Sequence, residues 1–108
     1  MSISTSDIPK TQSGRFILLA TIDVKPGKVD RVIELVKAVR DLAVSDKEPK
    51  THTYRTTVRD NTVVIFEEYS GAEGLEAHTS APPFVEFVKA HQAEELWNNL
   101  DIKMLAEF

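Results

Sequence analysis

Thr51 to Tyr69 reads THTYRTTVRDNTVVIFEEY. Its first half, Thr51 to Arg59, is rich in β-branched residues and alternates. His52, Tyr54, Thr56 and Val58 share one face, and Thr51, Thr53, Arg55 and Thr57 share the other. Asp60-Asn61 forms a tight turn into Thr62 to Tyr69, where Val63, Ile65, Glu67 and Tyr69 oppose Val64, Phe66 and Glu68. The stretch is therefore predicted as a β-hairpin. Upstream, Arg15 to Val24 (RFILLATIDV) opens almost continuously apolar and ends alternating. That is the pattern of a strand buried on both faces over most of its length. Lys25-Pro26-Gly27-Lys28 is a turn, with Pro26 suited to a helix start. Val29, Val32, Ile33, Val36, Val39 and Ala43 then recur at helical spacing. The opposite face, with Asp30, Arg31, Glu34, Lys37, Arg40 and Asp41, reads as simply solvated.

Downstream, Ser70 and Glu73 have capping-box spacing, which predicts a short helix carrying Leu75 and His78 on one face. Ser80-Ala81-Pro82-Pro83 breaks it and begins another. Phe84, Phe87, Val88 and His91 line one side of this second helix, which is expected to end near Leu96 to Asn99, at Trp97. Leu100 to Phe108 alternates at Ile102, Met104 and Ala106 and reads as a closing strand. The order β-α-β-β-α(α)-β is the split βαβ pattern. It predicts an α+β, ferredoxin-like fold, a four-stranded antiparallel sheet with helices on one side. The uncovered sheet face still holds apolar residues, so a homodimer through sheet faces is expected.

Composition narrows the function. The chain has 108 residues, 42% hydrophobic and 28% charged, with 13 Lys and Arg against 17 Asp and Glu. That is one domain's length in a globular balance. A formal net charge of -4 argues against nucleic acid as a partner and against a polybasic membrane anchor. Without cysteine there is no disulfide, thiolate zinc site or cysteine nucleophile. No apolar run approaches the roughly 20 residues of a membrane span. Met1 to Gly14 is polar, lacks an apolar signal region and reads as a flexible tail before a domain at 15–108. The cytoplasm is the simplest compartment. His52, His78 and His91 form no metal-ligand motif, and the four glycines form no phosphate or dinucleotide loop. No metal and no cofactor is expected.

Over about residues 16 to 100 the chain resembles the antibiotic biosynthesis monooxygenase family, a branch of the dimeric α+β barrels. The matching pieces are a strand followed by Lys25-Pro26-Gly27-Lys28 and an amphipathic helix, then Glu48-Pro49-x-x-x-x-Tyr54, then Glu67-x-Tyr69. His78 follows nine residues after that tyrosine, and Phe84 six after His78. Lys50 stands where the family usually has glycine, and Pro83 where many members have histidine. The resemblance implies a dimeric α+β barrel. Family activities include cofactor-free oxygenation of anthrones and quinones, isomerisation of a phosphorylated sugar, and haem degradation. Haem-degrading members use an Asn, a Trp and a proximal His where this chain has Ala20, His78 and Val88, which disfavours haem. The same alignment implies that Ala20 and His78 face the cavity between sheet and helices.

His78 is the leading catalytic candidate, since imidazole titrates near neutrality and can take a proton from an acidic carbon or phenol. Glu67, an odd carboxylate among apolar strand residues, is expected either to orient His78 or to be hydrogen-bonded for structure. Arg55 is a partner for it only if their faces agree. Tyr54 and Tyr69 offer phenols to a substrate oxygen, and Phe84, Phe87 and Ala20 offer apolar wall. His52 and His91 read as strand and helix-edge residues. The expected function is a cofactor-independent monooxygenase acting on a small aromatic or quinol. The alternatives are a proton-shuttling isomerase on a small carbonyl compound and a non-catalytic dimeric binding protein.

Overall fold

The structure, a computed structural model, describes residues 3–108. Its elements are β1 (Phe16–Val24), α1 (Val29–Ala43), β2 (Thr51–Arg59), β3 (Thr62–Tyr69), α2 (Ala72–Ser80), α3 (Pro82–Glu94) and β4 (Trp97–Leu105), preceded by a 3-10 turn at Thr5–Asp7. The sheet order is β2-β3-β1-β4 with every neighbour antiparallel, the ferredoxin-like arrangement. No helix among the described residues is long and apolar enough to cross a membrane.

Register decides which side chains meet. Tyr54 pairs with Glu67, Glu67 with Leu18 and Leu18 with Met104, one row across all four strands. The next row is Thr56, Ile65, Ala20 and Ile102. Alternation sends both rows to the helix side. There β1 contributes Phe16, Leu18, Ala20, Ile22 and Val24 to the core, against Val32, Leu35, Val36 and Val39 of α1. Arg55 pairs with Phe66 and so lies on the opposite face from Glu67, which removes it as a partner. That outer face holds Leu19, Val64 and Phe66, which are only part-buried, beside a buried Ile17.

Several local expectations change. Gly71, not Ser70, precedes α2, and no side chain caps it. The Ser70 hydroxyl instead bonds Nε2 of His52 at 2.6 Å, while Glu73 pairs with Lys50, so tertiary partners displace the capping box. The polar face of α1 is more than solvated: Arg31 bridges Glu34 on its own helix and Glu94 on α3. α3 stops at Glu94, earlier than expected, because Glu95 turns left-handed with φ 53°. Trp97 therefore opens β4 rather than closing the helix.

His91 makes that early stop workable. Its Nδ1 accepts from the backbone N–H groups of Leu96 at 3.1 Å and Trp97 at 3.3 Å, and its ring stacks on Trp97 at 3.6 Å. It is thus a capping residue rather than a helix-edge one. His91→Ala is expected to cost about 1–3 kcal/mol, because two partly buried N–H groups lose their acceptor. Urea denaturation of the folded variant would measure the loss.

Candidate active site

His78 is 2% exposed and is held between loop and sheet. Its Nδ1 lies 2.9 Å from Oε1 of Glu48, its Nε2 4.0 Å from Oε1 of Glu67. Tyr54, Tyr69 and Phe84 surround the imidazole with ring centroids 5.0, 5.7 and 5.5 Å away. A carboxylate at Nδ1 places the ring proton there and leaves the Nε2 lone pair free. That nitrogen is buried and makes no hydrogen bond.

The sequence pointed to Glu67 as the orienting carboxylate, but the structure gives that contact to Glu48. Glu48 is 6% exposed, at the end of the loop before β2. It sits before Pro49, which holds it extended, and Thr51 Oγ1 also donates to its Oε1 at 3.2 Å. The Glu-Pro pair ahead of a strand was the available signal. A lone carboxylate in a polar loop carries no mark of burial.

Glu67 has a different partner. The Tyr69 hydroxyl donates to its Oε1. Burial, reinforced by the charge of Glu48 and opposed by the Tyr69 bond, pushes the Glu67 carboxyl up to about 8. Near neutral pH it is therefore an acid group, not a carboxylate. Burial lowers the proton affinity of His78 despite the favourable contact with Glu48. Burial, then the nearby Glu67 and Glu48, raises both tyrosines well above their usual range, so the phenols stay protonated. The site thus sets a neutral base, Nε2, beside a neutral acid, Glu67.

Nε2 faces a cavity between the sheet and the helices. Ala20, Tyr54, Glu67, His78, Phe84 and Phe87 all line it, so these sequence candidates converge. Tyr69 is not among the described lining residues; its hydroxyl donates to Glu67 instead. The remaining wall is apolar, from Leu18, Ile22, Ile65, Leu100 and Ile102 of the sheet and Val36, Val39 and Leu75 of the helices, apart from Thr79, whose hydroxyl donates to the Leu75 carbonyl. No lysine or arginine lines it. A cavity with one buried acid in its wall, Glu67, and no lysine or arginine among the described lining residues favours a neutral ligand over an anionic one. His52 and His91 lie outside it. Among the described residues no group of three His, Asp or Glu is placed to hold a metal ion.

The space open to the centre of a water-sized sphere is about 30 Å³. That is room for about two waters. A ring compound enters only if a wall moves. Ile3 is the described lining residue outside the helices and strands, and among the described residues the hydrogen bonds of residues 3–8 run within that segment.

The antibiotic biosynthesis monooxygenase model matches residues 15–90, a span holding every one of these polar groups. The chain belongs to the antibiotic biosynthesis monooxygenase family. No curated protein matches it. Among solved structures it is similar to PA3566 from Pseudomonas aeruginosa, with TM-score 0.78 and 22% identity over 92% of this chain and 99% of that one. Rv0793 from Mycobacterium tuberculosis gives 0.76 and 18% over 87% and 95%. A Caulobacter crescentus protein named as a candidate antibiotic biosynthesis monooxygenase gives 0.77 and 18% over 89% and 92%. At these identities the antibiotic biosynthesis monooxygenase likeness extends to the fold, and activity has to be argued from the site itself.

Proposed function

We propose that this protein is a cofactor-independent monooxygenase acting on a small, neutral aromatic of anthrone or hydroquinone type. The observation that supports this most is Nε2 of His78, a buried and unpartnered base facing an apolar cavity. In this reading, with an anthrone as substrate, Nε2 takes a proton from the acidic ring CH2 that lies across the ring from the carbonyl. Tyr54 and the neutral Glu67 donate hydrogen bonds to the oxygen where charge grows. The carbanion passes one electron to O2, and the substrate radical and superoxide combine into a peroxide. The peroxide recovers its proton from His78, and loss of water leaves a carbonyl where the CH2 stood. One oxygen atom stays on carbon and the other leaves as water. Apolar walls keep water from quenching the carbanion. Entry of the substrate displaces the segment bearing Ile3.

A second reading is favoured by the acid–base pair itself. A base 4.0 Å from a neutral carboxyl suits proton transfer between two positions of a small carbonyl compound without oxygen. Oxygen uptake by the metal-free protein with anthrone- and hydroquinone-type substrates separates the two. Uptake with release of the oxidised ring ketone supports the monooxygenase. Absence of uptake, with solvent deuterium entering a carbonyl substrate, transfers the case to the isomerase. Neither activity on any substrate overturns both and leaves a binding protein.

The same reading puts a second copy of the chain on the outer sheet face, where Leu19, Val64 and Phe66 are only part-buried. Phe66→Asp is expected to weaken a homodimer by roughly 100-fold or more, since each copy would bury an unpaired charge. Light scattering across a dilution series would show monomer where the native chain is still dimeric.

A further inference from the structure

The geometry points to Gly74 as a positioning residue for His78, acting by setting how closely α2 approaches the loop that carries Glu48. The inference rests on the reading of His78 as the base. Glu48 and His78 belong to different segments, and their 2.9 Å bond spans the gap between loop and helix. What holds the gap closed is backbone contact. Ser70 N–H donates to the Lys50 carbonyl at 2.9 Å, fixing the loop against the entry to α2. One turn on, a Cβ placed on Gly74 would lie 2.9 Å from the Lys50 carbonyl oxygen and 3.1 Å from Lys50 Cβ. The first distance is shorter than real Cβ contacts and the second is tight, and since the closer atom is backbone, a side chain at 74 must push α2 and the loop apart.

The backbone gives no other reason for glycine there. Gly74 is buried inside α2 and is not among the glycines with positive φ. A helical glycine is otherwise a cost relative to alanine. Gly71, three residues earlier, is a natural control, since a Cβ there would meet its nearest atom at an ordinary 3.7 Å. The Glu73–Lys50 pair crosses the same gap, but both side chains are largely exposed and such pairs hold little. Widening the gap lengthens the Glu48–His78 bond and frees the ring to turn.

The test uses the full chain and two readouts. The first is nitrogen-15 NMR of the His78 ring, where the native protein is expected to show a proton on Nδ1 protected from exchange with water. Gly74→Ala is expected to lose that protection while the fold persists by circular dichroism, and Gly71→Ala to keep it. Lys50→Gly added to Gly74→Ala removes the Cβ contact, leaves the carbonyl one and loosens the loop, and is expected to recover part of the signal. The second readout is the rate of substrate deprotonation. It is expected to fall roughly 10- to 100-fold in Gly74→Ala, in kcat rather than KM. It should fall little further when Glu48→Gln is added, because both changes act through one bond. A folded Gly74→Ala that keeps the protected Nδ1 proton overturns the inference. So does failure of both Gly74→Ala and its Lys50→Gly partner to fold, which would make Gly74 a folding residue alone. Loss of the signal with an unchanged rate supports the positioning role and overturns His78 as the base.

Discussion

His78→Ala is expected to lower the rate of substrate deprotonation by about 10²- to 10⁴-fold, the range a well-placed general base contributes. The effect follows from Nε2 being the unpartnered basic atom at the cavity. Neither Tyr54 nor Tyr69 can replace it, since both phenols are held protonated by burial. Glu67 is a poor substitute near neutral pH, because it already carries a proton. Glu48→Gln is the informative companion. It keeps the size of the side chain but offers Nδ1 a donor as readily as an acceptor, which allows the tautomer with Nε2 protonated. A large loss in Glu48→Gln with the fold intact would show that the tautomer matters. A native-like rate in His78→Ala, in protein that circular dichroism shows to be folded, would remove His78 from the chemistry.

The second large effect is on stability against pH, and its centre is Glu67. The unfolded carboxyl releases its proton near 4.5, and the folded one near about 8. Between these values the native chain keeps a proton that the unfolded chain has lost. Stability is therefore drained as pH rises through the window and is fully reduced above about 8. A shift of this size corresponds to about 4–5 kcal/mol across the window. Glu67→Gln removes the titration, accepts the Tyr69 hydroxyl bond and keeps a neutral polar group in place. The variant is expected to be the more stable protein in alkaline buffer, the difference shrinking as pH falls toward 4.5. The histidines act in the other direction. Burial lowers both His78 and His91 from 6.5, so the unfolded chain binds protons first and stability falls as pH drops below that value. The native chain should thus show a stability maximum in mildly acid buffer, and Glu67→Gln a plateau extending upward. Chemical denaturation from pH 5 to pH 9 measures both curves. Parallel curves for the two proteins would mean that Glu67 is ionised in the native state.

The elements themselves were legible in the chain because their signals are local. Alternation in Thr62 to Tyr69 and helical spacing in Val29 to Ala43 each bury one face, and burial of that face is what forms the element. The order of elements then leaves few antiparallel arrangements, and the observed sheet is the expected one. Where the reading erred, a distant partner outweighed a local preference. Ser70 serves His52 rather than a helix N-terminus, and His91 captures two N–H groups that end α3 early.

The sequence by itself determined the α+β class, the faces of β3 and the family to which Glu48, Tyr54, Glu67 and His78 point, whereas the register shift between Thr51 and Thr53 puts Thr51 on the opposite face from the one its alternation suggested. Only the tertiary structure decided what those groups do to one another. Glu48 and His78 are 30 positions apart, and the choice between Glu48 and Glu67 as the partner of Nδ1 depends on how α2 docks on the loop before β2. The charge states depend on burial, which no residue carries in its own identity: Glu67 becomes an acid because sheet, helices and Tyr69 enclose it. The room in the cavity, and the place of Ile3 in its wall, likewise come from packing between elements remote in the chain.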